Sequence, residues 1–245
     1  MGFFLVLLMS LRGVFFVLFA VLAVFSGSVH ADEAVDEAVD EGGVHGLYDR
    51  ASVLFEKKKY KDAIAILNKI EALYPFSQVA IDGSLMSAEA NYELGNYREA
   101  ATLVEGYIGI YPNSPVIDYA YYIRIASKYM LVPDLGLDDS IAKEVLEYAA
   151  EFVKMFPESE YLAPVQEKLG HLRNHVAAKE FLTGRFYMKR GEYIAAIKRF
   201  STLVREYPDS AYFQEGMYRL SEAYSAIGDK DTASVYTNML AGPEA

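Results

Sequence analysis

The chain has 245 residues, of which 53% are hydrophobic and 23% charged, enough apolar material for one or two packed domains and too much for wholesale disorder. Its formal net charge of -11 argues against a nucleic-acid binder, which would need Lys and Arg along a phosphate track. No cysteine is present, which excludes disulfides, a thiolate nucleophile and Cys-type metal sites.

The N-terminus reads as an export signal. Val14 to Phe25 is an unbroken apolar run of 12 residues behind Arg12. A spanning helix needs about 20 residues. Val29-His30-Ala31 supplies a small residue at the cut and a tolerated one at the position two before it, so cleavage is expected after Ala31. The apolar residues Phe3 to Met9 leave an uncleaved anchor as the alternative. Removal of 1–31 takes one Arg and no acid, leaving 22 basic and 34 acidic residues, near -12. The mature chain would then start with an acidic leader over 32–46. Six of its first ten residues are acidic. That composition reads as a disordered, solvated spacer, or else as an acidic interaction tail.

From Leu47 the chain repeats. Lys59-Tyr60-Lys61-Asp62-Ala63, Asn96-Tyr97-Arg98-Glu99-Ala100 and Glu192-Tyr193-Ile194-Ala195-Ala196 are variants of one string. Each leads 15 residues on, counted from its Tyr, to the Pro of a Tyr-Pro pair: Tyr74-Pro75, Tyr111-Pro112 and Tyr207-Pro208. Phe156-Pro157 ends a weaker copy, and Gly228 with Ala233 opens a fifth. The pattern resembles the tetratricopeptide repeat, two antiparallel helices in about 34 residues. Ala lets the second helix sit close to the first, and the Tyr three residues earlier fills the gap between them. Gly95, Gly191 and Gly228 permit the turn. Pro ends the second helix. One unit cannot bury its apolar face alone, so neighbours stack. The expected fold is all-α, a tetratricopeptide-repeat superhelix of about five helical hairpins over 47–241. The repeats fall near 47–76, 77–113, 114–158, 159–209 and 210–241.

In the third unit a helix is expected over 116–131. An interruption at 132–139 follows, read either as a functional insertion or as a tolerated surface loop. The next helix is expected from Ser140, as N-cap, to Phe156. Between Pro164 and Arg190 only Gly170 and Gly184 weaken the pattern, which predicts one helix of about 25 residues.

Catalytic chemistry is not visible. His171 and His175 share a helix face, but Leu172 stands where a zinc protease needs Glu, and no third ligand follows. No G-x-S-x-G, phosphate loop or dinucleotide fingerprint occurs, so neither an enzyme, a cofactor nor a metal is expected. Protein binding is. In a repeat superhelix the first helix of each unit lines the concave face. The register puts Tyr48 and Phe55 there in the first repeat, Glu89 and Tyr92 in the second, and Arg185 and Lys189 in the fourth.

A narrower resemblance rests on particular strings. They are Leu73-Tyr74-Pro75-Phe76, then Ser114 to Tyr119 with Tyr122 and Arg124. Next come Leu172-Arg173-Asn174, Glu180 and Gly184-Arg185-Phe186-Tyr187. Arg190 to Ala196, Arg199 and Tyr207-Pro208 complete the set. In this order they resemble the BamD family, five-repeat periplasmic lipoproteins of the outer-membrane β-barrel assembly complex, over nearly all of residues 45–240. The resemblance implies a scaffold that binds the last POTRA module of BamA through its C-terminal repeats, alongside other subunits of the complex. It also implies that the N-terminal repeats receive unfolded β-barrel substrates. A partner-contacting arginine of the family falls at Arg199. Arg185 and Lys189 are expected beside it on the partner surface, and Tyr48, Phe55, Glu89 and Tyr92 on a substrate-peptide groove. The alternative is another periplasmic repeat scaffold, of the kind that works beside the Tol-Pal system. One departure matters. The family carries a lipobox cysteine, and Ser28 stands at that place here.

A serine cannot form the thioether to diacylglycerol. The mature protein is therefore expected without its own lipid, peripheral to the inner face of the outer membrane and held there by partners. Mass spectrometry of the mature N-terminus checks this: a chain starting at Asp32 is expected, and a diacylglycerol-modified species or an intact Met1 start sinks it.

Overall fold

The computed structural model describes residues 42–133 and 139–241. The expected signal peptide, Ser28, residues 32–41 of the leader and residues 134–138 of the interruption lie outside the described residues. All regular structure among the described residues is helical. Ten helices follow one another there. They are α1 (Gly43–Glu56), α2 (Tyr60–Leu73), α3 (Gln78–Glu93), α4 (Tyr97–Ile110), α5 (Ile117–Tyr129), α6 (Ser140–Met155), α7 (Leu162–Lys189), α8 (Tyr193–Glu206), α9 (Phe213–Ala226) and α10 (Lys230–Ala241). Helix α1 starts inside the stretch read as leader, so residues 43–46 are helical.

Two local devices make hairpins of these helices. At the turns of four hairpins, α1–α2, α3–α4, α7–α8 and α9–α10, one residue takes a left-handed conformation: Lys58 (φ 58), Gly95 (φ 78), Gly191 (φ 73) and Gly228 (φ 87). The next N–H reaches back five residues, Lys59 to the Leu54 carbonyl, Asn96 to Asn91, Glu192 to Tyr187 and Asp229 to Tyr224, at 2.9–3.0 Å. This is the bond pattern that satisfies the orphan carbonyls of a helix end. The second device ends α2, α4, α6 and α8. The residue before the proline of each Tyr-Pro or Phe-Pro pair is forced out of the helical region. Tyr74, Tyr111, Phe156 and Tyr207 accordingly have φ between -122 and -135 and ψ between 52 and 58. A serine three residues on closes the turn, Ser77, Ser114, Ser159 and Ser210 each donating N–H to that residue's carbonyl at 3.0–3.2 Å.

The chain divides into two compact units at Gly83 and Ser84, within α3. In the first, α1 packs on α2. Leu47, Ala51, Ala63, Leu67, Ile70, Val79 and Ala80 are buried. The Phe55 ring meets Tyr60 edge-on at 5.2 Å, the gap-filling role read for that tyrosine.

In the second unit α4 packs on α5, α5 on α6, and α7 on α5, α6, α8 and α9, with α10 on α9. Ala100, Ala196 and Ala233, the small residues of the repeat, are buried. Helix α7, with 28 residues, is about 42 Å long. Its Val165, Leu172 and Val176 join a core with Ile125, Val145 and Phe152. Its Ala177 and Phe181 join another with Phe200, Leu203 and Leu220. Two residues of the string that carried the family resemblance hold the next turn in place. Arg173 donates to the Glu206 carbonyl and pairs with Asp209, both at 3.2 Å, and Asn174 accepts the Ala211 N–H at 2.9 Å.

The expected cap of α6 needs correction. Ser140 is the first residue of the helix and Asp139 is the cap, without a side-chain capping bond. The Asp139 carboxylate pairs instead with Lys143 at 3.0 Å and Lys179 at 3.3 Å, two charged bonds that a cap geometry would forgo.

Lys58 occupies the left-handed position that Gly95, Gly191 and Gly228 fill in three other hairpin turns. A side chain there costs about 1–2 kcal/mol. Lys58→Gly is therefore expected to raise the stability of the first hairpin by about 1 kcal/mol and the thermal midpoint by about 2–4 °C. Calorimetry reads this, and an unchanged or lower midpoint contradicts it.

Candidate protein-binding site

Charge is unevenly distributed. Residues 162–206, which contain α7 and α8, hold nine Lys and Arg against four Glu, an excess of five positive charges within a chain of net charge -11. Arg185, Lys189 and Arg199, the residues read as partner-binding, all lie on this hairpin. Arg185 is exposed, its guanidinium 5.6 Å from the centre of the Phe181 ring. Lys189 is exposed in the last turn of α7, where the helix dipole favours a cation. Both belong to a stripe at helical spacing with Leu182 and Phe186, which are exposed large apolar side chains. Arg190 lies over Phe186 at 5.4 Å and pairs with Glu192 at 2.6 Å.

Arg199 is placed differently. It sits on α8 and directs Nη1 at both oxygens of Glu180 on α7, at 3.4 and 3.3 Å. The Glu180 side chain is only 8% exposed and that of Arg199 41%. Glycine at 184 sets the distance between the two helices, since a β-carbon there would stand 2.6–2.9 Å from the Phe200 ring.

The four groove residues divide between the two units. Tyr48 and Phe55 belong to the first and are half-buried. Burial, then the charges of Asp82 and Asp49, push the Tyr48 phenol above its usual range. Glu89 and Tyr92 belong to the second unit, where Tyr92 meets Tyr97 edge-on at 5.4 Å and Glu89 joins an aromatic cluster that the sequence reading did not assemble. Tyr122 of α5 stacks on Tyr161 at 4.9 Å with an 18° interplanar angle, and Tyr119 packs on Tyr161 at 5.1 Å. Lys168 of α7 lies 5.8 Å from the Tyr122 ring and 5.7 Å from Tyr129. Tyr119 donates its hydroxyl to Glu89, and burial followed by that bond drives its phenol far above the usual value. Asp118 accepts the Ser159 hydroxyl at 2.7 Å, tying the start of α5 to the turn that carries Tyr161. The i, i+3 pair Tyr119 and Tyr122 was the available signal, since that spacing places both rings on one helix face. Such a surface offers flat apolar area with polar edges, suited to an extended peptide.

His171 and His175 face a pocket of about 200 Å³ lined by Tyr129, Val132, Pro133 and Leu172. His171 Nδ1 is 3.4 Å from the Tyr129 hydroxyl. Among the described residues no group of three His, Asp or Glu could hold a metal ion.

Known proteins were compared with this chain. The model of the YfiO family, described as an outer membrane lipoprotein, matches residues 41–239. The outer membrane protein assembly factor BamD of Rickettsia prowazekii (strain Madrid E) is 33% identical over 197 residues, 79% of this chain and 77% of that protein. The protein of the same name from Caulobacter vibrioides (strain ATCC 19089 / CIP 103742 / CB 15) is 27% identical over 194 residues, 79% of this chain and 64% of that one. Among solved structures, that of MamA covers 80% of this chain and 88% of its own at 16% identity and a TM-score of 0.42. The chain belongs to the YfiO outer membrane lipoprotein family.

The raised Tyr119 phenol has a consequence at alkaline pH. In the unfolded chain it ionises near 10.0 and in the folded chain only well above that. Its contribution to stability is thus complete below about pH 10 and is lost as pH rises from there towards the folded value. Urea midpoints between about pH 8 and pH 11 are expected to fall above pH 10, and less steeply in Tyr119→Phe. The same substitution leaves Glu89 without its donor and is expected to cost about 1 kcal/mol at neutral pH.

Proposed function

We propose that this chain, as a member of that family, is a non-enzymatic scaffold subunit that helps place β-barrel proteins in the outer membrane. Its relatives carry the name of outer membrane protein assembly factor, which supports the role. In this reading the α7–α8 hairpin binds the last POTRA module of BamA, and the aromatic surfaces of the first helices receive segments of unfolded β-barrel substrates. The observation that carries it is the Arg199 guanidinium, two-fifths exposed on the one hairpin with a large positive excess. A guanidinium matches a carboxylate in a planar, charge-assisted contact. Arg185 and Lys189 would flank that contact, with Leu182 and Phe186 supplying apolar area between them. On the substrate side Tyr48 and Phe55 in the first unit and Glu89 and Tyr92 in the second keep their proposed roles, and within the second unit Tyr119, Tyr122, Tyr161 and Lys168 add to the surface.

The proposed location is the periplasm, at the inner face of the outer membrane and within the assembly complex. No helix among the described residues is long and apolar enough to cross a membrane. With Ser28 in place of the lipobox cysteine, attachment would depend on BamA and the other subunits.

Tagged full-length chain purified from membranes tests this reading, and recovery of BamA is expected. Clean absence of BamA at low salt would sink it. With purified POTRA module, Arg199→Ala is expected to raise Kd by at least about tenfold. Arg185→Ala and Lys189→Ala are expected to weaken binding only a few-fold each and to flatten its salt dependence, as charges at the rim of an interface do.

A further inference from the structure

We infer that Glu180 is a positioning residue, whose buried carboxylate holds the Arg199 guanidinium with its remaining N–H groups turned towards a carboxylate on the partner. The inference rests on the reading of Arg199 given above. A guanidinium carries five N–H donors in a rigid fork. Glu180 engages only Nη1, at 3.4 and 3.3 Å. The difference in depth between the two side chains, 8% against 41% exposed, gives the pair an inner and an outer end. Glu180 grips from below, and the outward donors stay open to a second anion.

A carboxylate inside the chain could instead compete with the partner. Competition requires it to fill the fork through two nitrogens, the geometry a partner carboxylate would want. One nitrogen engaged at more than 3.2 Å does not do so. The backbone supports the positioning role as well. Glu180 lies one helical turn before Gly184, and Arg199 adjoins Phe200. The close seat of the Phe200 ring on Gly184 therefore fixes the register in which carboxylate and guanidinium meet. A long side chain already held in its bound geometry loses less rotamer freedom on association. Ordering one such side chain is worth roughly twofold to tenfold in affinity.

Calorimetric titration of the full-length chain with the POTRA module tests this. Glu180→Gln is expected to raise Kd about fivefold. When combined with Arg199→Ala it is expected to add nothing to the loss Arg199→Ala causes alone. A purely structural role for Glu180 would not produce that non-additivity. A Kd for Glu180→Gln equal to or below the native value overturns the inference, as does an effect that adds in full to that of Arg199→Ala. A native Kd for Arg199→Ala overturns the underlying reading of Arg199, a distinct outcome. If Glu180→Gln does not fold, Glu180→Asp keeps the charge and withdraws the carboxylate by one methylene. A non-additive loss in Glu180→Asp supports positioning, and a native Kd overturns it.

Discussion

The ring of Phe200 leaves no room for a β-carbon at residue 184, and the C-terminal half of the second unit depends on that contact. Glycine lets α8 settle against α7 until Phe200, Leu203 and Ala196 are fully buried with Ala177 and Phe181. The same device recurs one layer on, where a β-carbon at Gly216 would stand 2.5 Å from Leu203 Cδ2 and α9 closes on α8. Close-packed interiors transmit such constraints, because side chains cannot yield without opening voids. The ion pair of Arg199 and Glu180 is a product of this approach. It forms where two helices are already held by apolar packing and does not itself hold them.

Helix α7 extends the constraint further. Its N-terminal half belongs to the core around Phe152 and its C-terminal half to the core around Phe200, and no break separates them. A shift in one core would displace side chains in the other. Charged groups are fitted to this frame in pairs. Burial alone would raise the Asp139 carboxyl, but its bonds to Lys143 and Lys179 outweigh that and hold it below the usual range. Arg124 on α5 is buried between the rings of Tyr121 and Tyr148, 4.4 and 3.9 Å away, and reaches Glu151 at 3.4 Å. Buried charges persist only with such partners.

The legible parts of the fold were those with local causes. Gly95, Gly191 and Gly228 announce left-handed turns because only glycine takes that conformation without strain. The residues before Pro75, Pro112, Pro157 and Pro208 announce helix ends because proline acts on its immediate neighbour. Lys58 hid the first of these turns, since a lysine gives no sign in the sequence of the left-handed conformation it takes there. The serine at the fourth position of each Pro turn went unread for a different reason, its bond being made through the backbone. Site residues divided along the same line. The exposure of Arg185 and Lys189 followed from register alone, because exposure on a helix face is periodic. The fixation of Arg199 by Glu180 did not, since it joins residues 19 apart in sequence through the seating of two helices. The tyrosine cluster needed α3, α5 and the turn before α7 to converge, and periodicity within one helix carries no information about that.

The charge at the site must be read in the same local way. A net charge of -11 argues against a phosphate track, yet says little about what a protein partner meets on α7 and α8. At physiological salt, charges on the surface act over about 8 Å. Acids beyond that distance do not cancel a hairpin with nine basic residues. Within that range one acid matters most, and it is Glu180, because burial removes it from screening. It lowers the positive charge beneath Arg199 while leaving the guanidinium's outer donors in place. The hairpin thereby presents an arginine held from below among other lysines and arginines, some of which, such as Arg173 and Arg190, are in ion pairs at the surface. Directional recognition of a carboxylate belongs to the first, and long-range attraction to the others.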